Sequence, residues 1–322
     1  MPVPGQISRL FGRRRALAFG GGAAGVIMAA RATRAAATGA HDLPVSEIEQ
    51  ILQAPGQMSN GVLDISIGRT DLKGVTGPAS LSDQGSRIPF SAAFELNGDF
   101  FFQSLGGGKA IVNGDFGFLP HEIDPAIDMM LKGGLQFQAL HQHYYGLEPM
   151  VWFMHLRGIG APLDLARAVA AVVKTTATPL PQTKPSTATP LDKHGLGQIL
   201  GASADVGDGG VVSVTVPRTD VIRIGGARVS PHLNVSTNIA FQQLPDGRAA
   251  AAPDFSMTAA EITGVMTVMR AHDWTVHCLY NQETGEHPQL YFAHMLKVGD
   301  QHQLAREIRA GLDRTATATA KV

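Results

Sequence analysis

His141 and His143 are separated by one residue, Glu148 follows five residues later, and His155 stands beyond it. In an extended strand, residues i and i+2 point to the same face, so both imidazoles converge as two ligands of one metal require. They continue the apolar row of Phe137 and Ala139, a partly dry setting that favours the neutral imidazole that binds metal. His155 joins them only in one hairpin register, with Tyr144 opposite Met150 and His141 opposite Phe153. A slip of one residue sends it to the far face. The alternation of Val151, Phe153 and His155 favours the first register, and Glu148 in the turn completes a shell of three histidines and one carboxylate. Nitrogen-rich ligation of this kind suits zinc, copper, iron or nickel and not magnesium or calcium, with Met150 and Met154 adding copper-compatible sulfur nearby.

Two functions fit these residues. In one, the first half of the chain holds a divalent transition metal or a small ligand in a histidine-rich pocket. Its chemistry would be metal-assisted hydrolysis or oxidation, with Glu148 or an uncoordinated histidine as base. In the other, the protein is a non-catalytic binding or interaction protein and its histidines are core residues. Other motifs carry less chemistry. Arg69-Thr70-Asp71 and Arg218-Thr219-Asp220 are expected to close strands with ion pairs, and Glu122 and Glu261 to open helices at the favourable end of the dipole. Gly106-Gly107-Gly108-Lys109 lacks the Ser or Thr of a phosphate loop and reads as a hairpin turn. Cys278, the only cysteine, cannot form an intrachain disulfide and reads as a buried thiol. There is neither a Gly-x-Ser-x-Gly elbow nor a His-Glu-x-x-His helix.

The elements that must position these residues occur twice. The segment from Gly61 to Asp71 recurs from Gly210 to Asp220, Ala93-Phe94 recurs as Ala240-Phe241, and Asp115-Phe116 as Asp254-Phe255. Aligned without a gap, residues 120–173 and 259–312 share 13 identities in 54 positions, more than chance supplies, including Glu122/Glu261, Pro149/Pro288 and His155/His294. Missing such a duplication would misread the whole architecture. Periodicity in the first copy predicts strands at 62–67, 91–96, 110–116, 136–143 and 150–157, and helices at 122–132 and 163–174. The implied fold class is α+β, a tandem duplication of an antiparallel sheet covered by helices on one face, with a ferredoxin-like split β-α-β core. The repeats are expected at 44–173 and 196–314, joined by a Pro/Thr-rich linker at 174–195 and followed by a tail at 315–322. In the second copy the histidine pair has become Tyr280-Asn281-Gln282. Its site reads as degenerate, with His294 structural.

With 44% hydrophobic and 16% charged residues, the 322-residue chain has material for a large core and is not a disordered one. Its formal charge of -1 gives no attraction to nucleic acid. Residues 1–37 read as an export signal of the twin-arginine type: Arg13, Arg14 and Arg15 precede a weakly apolar, glycine-rich run, and Ala35-Ala36-Ala37 follows. That segment holds six arginines and no acid, so the remainder carries -7. An acidic periplasmic or secreted protein without stable membrane insertion is implied.

The motifs Arg69-Thr70-Asp71, Gly114-Asp115-Phe116, Glu122-Ile123-Asp124-Pro125, Ala139-Leu140-His141-Gln142-His143, Glu148-Pro149 and Met154-His155 stand in the order and spacing of a known family. Over nearly the whole chain after the signal, the sequence resembles the LppY/LpqO-like exported bacterial proteins, which carry a domain of unknown function numbered 1259. The resemblance implies export and a duplicated domain and supplies no established reaction. This chain has Met150 where the family has arginine after Glu-Pro, so an anion contact at that position is not implied here.

Overall fold

The structure is a computed structural model and describes residues 43–77, 87–184, 186–282 and 284–317. The export segment lies outside the described residues. The first repeat runs α1 (Val45–Leu52), β1 (Gly56–Ser59), β2 (Val62–Ile67), β3 (Gly98–Gly106), β4 (Lys109–Phe118), α2 (Ile123–Lys132), β5 (Gln136–His141), β6 (Trp152–Gly160) and α3 (Pro162–Val173). Alternation makes the strands: Leu63, Ile65 and Ile67 are buried on one face of β2, as are Phe100 and Phe102 on β3. Helix α2 buries Ala126 and Met130, one turn apart. Helix α3 opens on Pro162, whose missing N–H is no loss in the first turn, and buries the apolar run from Leu165 to Val173.

All pairings in the sheet are antiparallel, in the order β1-β2-β3-β4-β6-β5. Strands β4 and β5 both run opposite to the intervening β6, so with α2 they form the expected split β-α-β unit. The second repeat contains α4 (Lys193–Leu200), β7 (Ala204–Val206), β8 (Val212–Val216), β9 (Arg223–Ile224), β10 (Ala227–Arg228), β11 (Thr237–Gln243), β12 (Ala249–Met257), α5 (Ile262–Ala271), β13 (Thr275–Val276), β14 (Glu286–His287), β15 (Tyr291–Gly299) and α6 (Gln301–Leu312). Its main sheet has the matching order β7-β8-β11-β12-β15-β13, and β10-β9-β14 form a small separate sheet. Helix α4 begins inside the stretch read as linker. Gln182 in that stretch is tied to Gln53 and Gly68, and Leu191 is buried.

One predicted strand is absent. Residues 91–96 form a turn with Glu95 at φ 60°, and the strand is β3. Phe94 and Leu96 are both fully buried, so their spacing mimics strand alternation although the backbone turns. The second copy repeats that turn at residues 230–235, with Asn234 at φ 54° in the place of Glu95. Because Asp99 pairs with Asp115 and Asn238 with Asp254, the 139-residue offset runs back through this turn. Ala93-Phe94 therefore corresponds to His232-Leu233 and not to Ala240-Phe241.

Each sheet packs its helices on one face, around Phe100, Phe116, Met154 and Val169 in the first repeat and Phe241, Phe255, Met295 and Ile308 in the second. The opposite faces pack on each other, giving layers in the order helix, sheet, sheet, helix. Phe94, Leu96, Val151 and Phe153 meet Val211 and Ala250, while the equivalent Leu233, Val235, Leu290 and Phe292 meet Val62 and Ile111. The amide of Ser91 donates to Gln242 Oε1 at 2.7 Å, and that of Ser230 to Gln103 Oε1 at 2.8 Å. These reciprocal pairs define a pseudo-twofold axis between the repeats.

Candidate metal centre

Between those two apolar clusters the inner faces turn polar. His141 pairs across the strands with Phe153, and Ala139 with His155, the register that sets both histidines on one face. The face is buried as expected, but against the second repeat and not against helices. His141 Nε2 lies 2.8 Å from His155 Nε2, a hydrogen bond between the two rings. His143 Nδ1 faces the Glu95 carbonyl at 3.2 Å and its carboxylate at 3.7 Å. The same carboxylate is 3.7 Å from His294 Nδ1, so the turn at Glu95 bridges a histidine from each repeat.

The second copy reproduces these contacts with other side chains. Gln282 donates to the Asn234 carbonyl at 2.7 Å as His143 faces that of Glu95, and the Tyr280 hydroxyl meets His294 Nε2 at 3.3 Å as His141 meets His155. Tyr280 also donates to Asp254 at 3.2 Å. Asp115 lies opposite His155 on paired strands, and Asp254 opposite His294. His141 and Tyr280, equivalent positions, stack at 3.6 Å between centroids, and His143 lies between Phe153 at 3.4 Å and His294 at 3.9 Å.

Among the described residues two groups can hold a metal ion: His141, His143 and His294, and Asp115, His143 and His155. Within each group the ligand atoms lie within 4.8 Å of one another. Imidazole binds a metal in its ring plane, so the stacked rings must fan out to bring their nitrogens to one point. All four histidines are buried, and burial holds His141 down at about 3 and His143, His155 and His294 well below their ordinary value. They are neutral near pH 7. Burial, reinforced by neighbouring carboxylates, lifts Glu95 and Asp115 well above the usual range, and burial pushes Asp254 up to about 7. Neutral rings let the four histidines be buried without a counter-charge. His141 Nδ1, His143 Nε2, His294 Nδ1 and Asp254 Oδ1 nevertheless have no hydrogen-bond partner.

Three of the residues singled out in the sequence, His141, His143 and His155, thus come together. Glu148 does not join them. It pairs with Arg87 at 2.6 Å on the surface with its side chain 70% exposed, because its backbone bridges to Thr76 and turns the carboxylate outward. His294, read as a structural histidine of a degenerate half, sits in the same cluster, as do Glu95, Asp115, Asp254 and Tyr280. The constant offset linking Asp115/His155 to Asp254/His294 was the signal for them; what the sequence lacks is the knowledge that the two inner faces meet. The other motifs behave as ion pairs. Arg69 bonds Asp71 and Glu122 at 2.8 and 2.9 Å, and Arg218 bonds Asp220 and Glu261 at 2.5 and 2.9 Å. Gly106 and Lys109 pair across a hairpin turn.

Fold and site together define a duplicated α+β sandwich whose two sheets enclose a histidine and carboxylate centre able to hold a metal ion. The chain belongs to the family described as Domain of Unknown Function (DUF1259), which matches residues 46–175 and 194–314, once for each repeat. No curated protein and no solved structure matches the chain.

Proposed function

We propose that the protein binds a divalent transition metal at the junction of its repeats, through His141, His143 and His294, with His155, Asp115 and Glu95 beside them. The observation that carries this reading is the set of buried nitrogen and oxygen atoms without partners. Buried polar groups are almost always bonded, and four such atoms lie in this layer, three of them on the histidines of one ligand group, which an ion would satisfy. Neutral imidazoles with carboxylates suit zinc, copper, iron or nickel. A bound cation would also favour the ionised forms of Glu95, Asp115 and Asp254. Because the histidines are sealed, any reaction there is confined to molecules of about the size of water or dioxygen, such as metal-assisted hydrolysis or oxidation of a small species.

The test is metal uptake by the full chain, stripped with a chelator and then offered zinc or cobalt at micromolar concentration. Uptake with the electronic spectrum of nitrogen-ligated cobalt is expected. No uptake, or equal uptake by the His141→Ala, His143→Ala double variant, would leave a stacked aromatic core as the role of these rings, in keeping with the close ring contacts.

We further infer export to the periplasm or beyond, supported by the arginine cluster, the apolar run and the alanines of residues 1–37. Among the described residues no helix is long and apolar enough to cross a membrane. Replacing Arg13, Arg14 and Arg15 by lysine is expected to stop export, and continued export would assign the segment to the general secretory route.

A further inference from the structure

Both inner faces carry a polar row that crosses the strands, but the rows differ in charge. In the first sheet Ser66 pairs with Asp99, Asp99 with Asp115, and Asp115 with His155. Asp64, two residues from Ser66, shares its face. The corresponding row of the second sheet reads Thr215, Asn238, Asp254 and His294. There Thr215 donates to Asn238 Oδ1 at 2.8 Å, so the outer half of that row is neutral and bonded to itself.

The comparison is an internal control. The same sheet forms with Asn238 in one copy and Asp99 in the other, so the fold does not need the acid. Its burial is unfavourable, since lost hydration disfavours the carboxylates of Asp64, Asp99 and Asp115; neighbouring acids raise Asp64 and Asp115 further, while hydrogen bonds from Ser66 and Asn97 partly offset the shift at Asp99. Asn97 grips both oxygens of Asp99 at 2.9 Å and so holds it on the inner face. Exposure falls steadily along the row: Ser66 is exposed, Asp99 and Asp115 are half-buried, and His155 is 3% exposed. At the inner end stands His143, 4% exposed with Nε2 unbonded, within ligand distance of Asp115 and His155. Beside the outer end, the buried Oδ1 of Asp64 is also unbonded, and Asp205 of the second repeat adds a further acid.

We propose that Asp64, Asp99 and Asp115 form the access route along which a divalent cation passes from solvent to the buried histidines. The proposal rests on the metal-binding reading above. Aligned carboxylates replace the cation's waters one after another and focus its approach, while the neutral outer half of the second sheet's row offers no such path. Asp64 and Asp99 belong to the route and not to the metal's shell.

The experiment is stopped-flow uptake of cobalt or zinc by the metal-stripped full chain and by its Asp99→Asn and Asp64→Asn variants. Asp99→Asn copies the residue that the second repeat already uses at this place. Uptake slower by about tenfold is expected, with unchanged stoichiometry and an off-rate slowed to match, so that equilibrium affinity is retained. Rates equal to the parent's with binding retained would overturn the route. Absence of uptake by the parent would instead overturn the metal reading. Should Asp99→Asn fail to fold, the parent's own rate decides: it is expected to fall as ionic strength rises from about 0.01 to 1 M, because salt screens the focusing field, and a salt-independent rate would refute the route.

Discussion

Replacing His294 with alanine separates a site shared between repeats from one confined to the first. His294 is 2% exposed, stacks on His143 at 3.9 Å, and supplies one of three ligands in the histidine group. A structural zinc site of four ligands is worth about 10–16 kcal/mol, or roughly 3 kcal/mol per ligand, which is more than about a hundredfold in affinity. The variant also loses a buried ring and the contact of Tyr280 with Nε2, for a loss of folding stability of about 2–4 kcal/mol. Isothermal titration of zinc into the metal-free variant reads the first quantity, and urea denaturation without metal reads the second. His294→Gln fills most of the cavity while removing the ligand, so it should recover much of the stability and little of the affinity. Unchanged zinc affinity in both variants would refute the shared site and return the metal to His141, His143 and His155 alone.

Arg69→Ala should destabilise the fold by about 3–5 kcal/mol in urea, because it strands the buried Glu122 carboxylate, whereas Arg218→Ala should cost less, since Glu261 and Asp220 are more open to water. The pH dependence of the metal-free chain should have two opposed arms. Asp254, raised from 3.8 to about 7, contributes stability that is complete below its unfolded value and lost as pH rises through about 7. His141, lowered from 6.5 to about 3, withdraws stability as pH falls from 6.5 toward 3. Thermal melts across this range should therefore show Asp254→Asn flattening the alkaline arm and His141→Gln the acid arm, and unchanged arms would contradict the assigned environments. Cys278, pushed up to about 12 mainly by burial, should react with a thiol reagent at pH 8 at least about a hundredfold more slowly than a free cysteine. Rapid labelling would contradict that assigned environment.

The duplication, the split β-α-β core and the histidine hairpin were all legible because each depends on local pattern. Periodicity sets the strands, and the alternation of Val151, Phe153 and His155 selects one register out of two. The turn at Glu95 was not legible, since its buried Phe94 and Leu96 imitate a strand, and the resulting misalignment hid the equivalence of Glu95 and Asn234. Nor was the partner of the histidine face. A buried face looks the same in sequence whether a helix or another sheet covers it, and only the meeting of the two sheets makes His294 a neighbour of His143. Glu148 lies apart for a third reason: proximity along the chain is not proximity in space, and Arg87 offers it a partner at the surface.

The stacking of His141 on Tyr280 across the pseudo-twofold has an evolutionary consequence. Two identical chains meeting on a true twofold must present the same residue from both sides of the axis, histidine to histidine or tyrosine to tyrosine. Once both halves lie in one polypeptide, each position drifts separately, and a mutation alters one side of the layer without imposing its copy on the other. One wall is then free to keep imidazoles and acids while the facing wall acquires a phenol and an amide, as His141/Tyr280 and His143/Gln282 show. A chain built from two first repeats would restore the symmetry and set histidine against histidine.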